Sequence, residues 1–305
     1  MAGSGSCSTF SLSRFVSLET ETALAEDDDE DEVNAYVPSV EDEEYLQILL
    51  NKERDGYHIR PPVDDGHKVA RSEAIQWIIN IRALFRFRFR TAYLSVIYID
   101  RFLSQGPIPS DKPWAIRLLP IACLSLAAKM VESKTPALSQ YPAEEYKFES
   151  TTIRRMELLL SSALDWRMHS TTPFDYIYFF ISRFRHESPN SRFLSLTTQI
   201  ILATTKGKFL NISIPHINFV EHRSSTIAMA ATLMVTDQKL TKESLEIKLK
   251  TAGLNRFLDH EDVYTCYCRI LELEPVKVTR FKPILVTSLE NRPVGTKRKR
   301  LDFKE

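Results

Sequence analysis

TAYLSVIYIDRFLS (91–104), CLSLAAKMVES (123–133) and TIRRMELLLSSALDWRM (152–168) follow one another in the middle of this chain. Each reads as a helix. In the third, Ile153, Met156, Leu160 and Leu164 recur at helical spacing and lay one apolar stripe along one face. Stripes of this kind bury themselves against each other, so the expectation is a compact all-α domain.

Working outward, Ile75, Ile78, Ile79 and Ile81 with Trp77 give a helix with a broad buried face over 68–84. Ser110 or Asp111 ahead of Pro113 marks a capped start for a helix over 113–132, and Pro at the first helical position suits its fixed φ. With helices at 91–104 and 151–164 and a short one at 142–148, this makes five helices. Thr172 followed by Pro173 opens a second group, with helices expected at 173–185, 191–206, 223–236, 241–251 and 260–273. The two groups have similar length, which suggests an internal duplication. Ahead of both, VEDEEYLQILLNKE (40–53) has acids in its first turn, Tyr45, Ile48 and Leu49 at helical spacing and Lys52 near its end.

The expected organisation is a disordered acidic tail (1–39), a helix and linker (40–66), one five-helix domain (67–168), a second (169–274) and a disordered basic tail (275–305). EDDDEDE (26–32) lies in the first tail, and Pro275, Pro283, Pro293 and KRKR (297–300) lie in the last. Charge is divided accordingly. Residues 1–60 hold 15 acids and 4 bases, while the remainder holds 36 bases and 25 acids. The basic residues of the body are scattered and mixed with acids, unlike the clustered stripe that binds nucleic acid, so no direct nucleic-acid contact is expected.

Cys7, Cys123, Cys266 and Cys268 form neither a disulfide framework nor a zinc-binding pattern. No leader-like N-terminus and no uninterrupted apolar run of membrane length is read, so neither secretion nor a membrane is expected. The seven histidines lack HExxH spacing, and no nucleophile elbow, Walker loop or GxGxxG is present. The chain is therefore expected to be no enzyme, with no cofactor and no metal.

The three central segments resemble the first cyclin box of a plant D-type cyclin, the resemblance continues into TTPFDYIYFFISRF (171–184), and HRSSTIAMAA (222–231) resembles the start of the central helix of a second box. The resemblance implies two tandem five-helix boxes and a regulatory subunit that activates a cyclin-dependent protein kinase at the G1/S transition. It assigns Lys129 and Glu157 to the pair that grips the kinase's regulatory helix, with Leu126, Met130, Trp166 and Met168 as the apolar part of that surface and Glu132 beside them. Locally, Lys129 also reads as a cation at a helix C-terminus, Glu157 as a partner for Arg154, and Leu126 as core. Val131 stands where a further acid is usual.

The resemblance also assigns Arg71 and Trp77 to a substrate-docking patch, which here reads ARSEA (70–74), with alanines where larger apolar residues are usual. Kinase inhibitors are implied as partners. A retinoblastoma-related protein is implied only indirectly, since LxCxE is missing. Lys297, Arg298, Lys299 and Arg300 read as a nuclear localisation signal, implying a nuclear protein with a cytoplasmic pool. LFRFRFR (84–90) alternates like a strand or an aromatic-basic nucleic-acid contact, but in the cyclin frame it ends one helix as partly buried phenylalanines with solvated arginines. The alternative function is a cyclin-fold transcription or scaffold adaptor that does not activate a kinase.

Overall fold

A computed structural model describes residues 40–54, 65–105, 113–142, 146–185, 191–206, 219–237 and 239–273. Among these residues there are ten α-helices and no strand: α1 (Val40–Arg54), α2 (Asp65–Phe85), α3 (Phe89–Gln105), α4 (Pro113–Val131), α5 (Ser150–Ala163), α6 (Ile177–Arg185), α7 (Ser191–Lys206), α8 (Ser224–Thr236), α9 (Lys242–Thr251) and α10 (His260–Glu272). The expected all-α fold is what is found. Both expected tails lie outside the described residues.

Two compact units divide the chain. One gathers α1 with Thr171–Thr198 and Ser224–Cys268, and the other holds the described parts of Gly56–Ser170, Gln199–Arg223 and the chain from Arg269. In the second unit, α4 is the central helix. Every residue from Leu118 to Ala128 is buried, and α2, α3 and α5 pack around it. Its window Trp114–Val131 has the length and mean hydropathy, 1.6, of a membrane span, which the sequence reading did not register because Arg117 and Lys129 interrupt the run. Most of that window is buried within the protein, as in a core helix.

The first unit takes in α1, which the linear division of the chain sets apart with the linker. The Tyr176 hydroxyl donates to the Leu49 carbonyl at 3.2 Å, and the Glu53 carboxylate accepts from the backbone N–H and hydroxyl of Ser225 at 2.9 and 2.5 Å. Glu43 receives Arg183 and Arg256. The buried stripe of α1 is Leu46, Leu49 and Leu50 with Asp42, while Ile48 faces solvent. Positions 42, 46, 49 and 50 share a face at 3.6 residues per turn, and Ile48 falls outside it.

Two element expectations differ locally. Of the short helix expected at 142–148, the described positions Pro142 and Tyr146 to Phe148 are irregular, residues 143–145 lie outside the described residues, and a 3-10 turn stands earlier, at Leu138–Gln140. The helix expected from Pro173 begins instead as a 3-10 turn, Pro173–Asp175, with the α-helix starting at Ile177. Asp175 ties down Thr172 there through its N–H and hydroxyl, at 2.7 and 2.9 Å, which tightens the entry turn.

LFRFRFR is neither strand nor loop throughout. Helix α2 runs to Phe85, Arg86 takes a left-handed φ of 56°, and α3 begins at Phe89. Phe87 is buried, and Phe85 lies 5.3 Å from its ring and 5.2 Å from that of Tyr141. The Arg82 guanidinium covers the Phe89 ring at 3.5 Å. Only Arg86 of the three arginines at 86, 88 and 90 is exposed, because the tight α2–α3 junction half-buries the other two.

Candidate functional site

Lys129 is the basic residue in the last turn of α4, where a cation complements the helix dipole. Glu157 lies on the inward face of α5 with Ile153, Met156 and Leu160, the only charged side chain on that face. The two meet across the helix pair: Nζ lies 2.6 Å from Oε1 and 2.7 Å from Oε2. The partner of Glu157 is therefore Lys129, and Arg154, one turn earlier on α5, is exposed.

Of the apolar residues assigned to the surface, Met130 and Trp166 face outward, 41% and 67% exposed. Leu126 and Met168 are interior, part of the core that α4 organises. Helical spacing explains Leu126, which shares the fully buried run of α4, whereas Met130 lies past its end. Glu132 is occupied as well. Its carboxylate accepts the Arg88 N–H at 2.8 Å and the Thr91 hydroxyl, closing the N-terminus of α3, where a negative charge is favoured.

Trp166 is presented by an unusual turn. Asp165 and Trp166 both have left-handed φ, 53° and 58°, a conformation that costs non-glycine residues roughly 1–2 kcal/mol each. Helix α3 holds that turn by satisfying its carbonyls. Arg101 donates to Arg167 and Leu164 at 2.6 and 3.1 Å, Tyr98 donates to Met168 at 2.5 Å, and Gln105 donates to Ala163. The sequence reading missed these residues. The signal was there in Asp100 and Arg101, two charges inside the apolar run YIDRFL, since charges within a core helix need partners.

Asp100 supplies the second example. Arg71, expected at a docking patch, forms a two-pronged ion pair with Asp100, Nε to Oδ1 at 2.5 Å and Nη2 to Oδ2 at 2.8 Å, and donates from Nη1 to the Thr205 carbonyl at 3.2 Å. Burial alone lowers the proton affinity of that guanidinium, and the Asp100 charge and hydrogen bond reverse this, leaving it above its ordinary value. Arg71 thus ties α2 to α3 and to the end of α7. Trp77 is half-buried and lines a groove with Ala70, Ala74, Ile116, Pro120 and Ile121 and with Tyr146 and Phe148, whose rings stack at 5.6 Å. The cluster 297–300 lies outside the described residues.

Among the described residues no group of His, Cys, Asp and Glu is placed to hold a metal ion. Cys123, Cys266 and Cys268 are free thiols, and burial with the nearby Asp100 charge pushes the Cys123 thiol well above its ordinary range.

Comparison with known proteins fits this geometry. Residues 44–169 match the family described as Cyclin, N-terminal domain. Cyclin-D5-1 of Arabidopsis thaliana is 35% identical over 304 residues, covering 95% of this chain and 92% of that protein. Cyclin-D5-1 of Oryza sativa subsp. japonica is 40% identical over 212 residues, 68% of this chain and 55% of that protein. A viral cyclin from herpesvirus saimiri shares the fold at a TM-score of 0.54 and 15% identity, over 75% of this chain and 97% of its own. The chain belongs to the cyclin family, among the D-type cyclins of plants. Its role is accordingly that of a cell-cycle regulatory protein.

Proposed function

We propose that this chain binds and activates a cyclin-dependent protein kinase and so controls the G1/S transition in a plant. The observation that carries this reading is the Lys129–Glu157 clasp, with Met130 next to Lys129 in sequence exposed and Trp166 exposed on the turn after α5. Protein kinases need a β3 Lys paired with a Glu on helix αC. A rigid surface that binds only the inward position of αC activates by shifting a population, and moving it from 1:99 to 99:1 takes about 5.5 kcal/mol of differential binding. Apolar burial at about 25 cal/mol per Å² supplies this from a few hundred Å². Kinase inhibitors would then meet the assembled pair, and a retinoblastoma-related protein would be reached through the kinase.

Pull-down of a plant cyclin-dependent kinase, followed by phosphorylation of a histone or retinoblastoma-related substrate, tests the reading. Lys129→Ala with Glu157→Ala is expected to abolish both. Binding without activation would establish a scaffold instead. The proposal includes the nucleus, with a cytoplasmic pool: replacing Lys297, Arg298, Lys299 and Arg300 with alanine is expected to move a fluorescent fusion to the cytoplasm in cells lacking the kinase partner.

A further inference from the structure

Three serine or threonine residues in the sequence precede proline: Thr135, Thr172 and Ser188. The structure separates the two threonines sharply. Thr172 is fully buried, its N–H and hydroxyl are both bonded to Asp175, and Pro173 is buried beside it. Thr135 is exposed, with Ser133 and Lys134 exposed before it. It sits in the non-helical stretch between the end of α4 and the turn at Leu138–Gln140. A residue before proline is held to extended backbone, and Ala137 on the other side has φ −64° and ψ 147°. Residues 135–137, following a bend at Ser133 and Lys134, therefore offer solvent a short extended run that begins with a hydroxyl.

That presentation is what a kinase cleft needs of a substrate. Pro136 adds the selectivity: it has no N–H, so an enzyme pocket walled only by apolar groups strands no donor on it, as any other residue would. We propose that Thr135 is a phosphorylation site for a proline-directed protein kinase, and that phosphate there weakens docking of the cyclin-dependent kinase. The second half rests on the function proposed above. In the reaction the Thr135 Oγ–P bond forms as the bond between the γ-phosphorus of ATP and its bridging oxygen breaks. ADP leaves, and the hydroxyl proton passes to the enzyme's base.

The consequence follows from charge. Phosphate adds about −1.5 to −2 at neutral pH. The chain leaving α4 carries it six residues past Lys129 and three past Glu132, at the negative end of the α4 dipole. The Lys129 charge is already held by both carboxylate oxygens of Glu157. Exposed Lys134 beside it offsets at most one unit, so a net negative charge remains on the chain leaving the end of α4 that carries Lys129 and Met130.

The test uses the full chain carrying Ser188→Ala, a purified proline-directed kinase of the mitogen-activated class, and ATP. Mass spectrometry is expected to place phosphate on Thr135, and Thr135→Ala is expected to remove it. Phosphate on Thr172 instead, or on neither threonine, overturns the site. The phosphorylated and unmodified chains are then compared for binding to a cyclin-dependent kinase, with at least tenfold weaker binding expected for the phosphorylated form. Equal binding overturns the regulatory half. If the unmodified chain binds no kinase at all, the proposed function fails, while the mass measurement still decides whether Thr135 is the site.

Discussion

The ammonium of Lys129 bridges both carboxylate oxygens of Glu157, yet the two side chains differ in their surroundings: 40% of the lysine and 7% of the glutamate is exposed. Glu157 is the partner that depends on the pair, because it has little water to fall back on.

Lys129→Ala is therefore expected to cost about 1–3 kcal/mol, less than the roughly 3–5 of a fully buried pair, because the lysine end is screened by solvent. Glu157→Ala alone is expected to cost less, since it leaves an exposed cation. Urea unfolding of the two single variants and the double variant measures the coupling. Losses that simply add would show that the contact contributes nothing to stability.

Arg71→Ala removes the partner of Asp100, which is buried on α3. The expected loss is about 3–5 kcal/mol, and Arg71→Lys recovers only part of it because a point charge cannot reproduce the two-pronged contact. Thermal unfolding followed by circular dichroism is the readout. A variant that melts like the parent would return Arg71 to the role of a surface docking residue.

Glu132→Ala is expected to lower stability by about 1 kcal/mol, the usual worth of a helix cap, since the Arg88 N–H and the Thr91 hydroxyl lose their acceptor. Glu132→Gln should retain most of it. Amide exchange at the start of α3 should rise in the alanine variant before exchange elsewhere does. An unchanged exchange rate there would exclude the capping role.

Alkaline pH is expected to unfold the protein through its interior phenols. Burial first, then the charges of Glu157 and Glu132, push the Tyr141 hydroxyl up to about 12, against an opposing influence of Ser125, and burial also raises Tyr98 and Tyr176. A group whose folded pKa lies above its unfolded value of 10.0 contributes its full stability below that pH and loses it as the pH climbs towards 12. Tyrosinate absorbance and helical circular dichroism should change together in this range, and Tyr141→Phe should shift the transition to higher pH. Phenol ionisation complete before helix is lost would contradict the buried assignment.

The helices were legible in the sequence because the stripes Ile153–Met156–Leu160 and Ile75–Ile78–Ile81 carry a 3.6-residue period that only one backbone satisfies. The Lys129–Glu157 pairing came from the cyclin resemblance; residue spacing alone pointed Glu157 to Arg154, because periodicity reports a face and not the neighbour across it. For the same reason Glu132 and Arg71 were read as surface residues, when each is held by a partner more than 25 positions away. The α3 clamp on the Trp166 turn escaped notice because its acceptors are backbone carbonyls, which leave no trace in residue identity.

Helix α1 has a temporal consequence. Its polar contacts are with Tyr176, Arg183, Ser225 and Arg256, at sequence separations of 127 to 213 residues. At a synthesis rate of about 5–20 residues per second, the helix would be out of the ribosome for roughly 10–40 s before the last of these partners is made. Until Tyr176 is made, about 6–24 s into that interval, Leu46, Leu49 and Leu50 have none of these partners near them, so the nascent chain offers a short apolar segment that chaperones would find first. The unit closes only when its two ends meet, and a fragment truncated from either end forfeits the same closure.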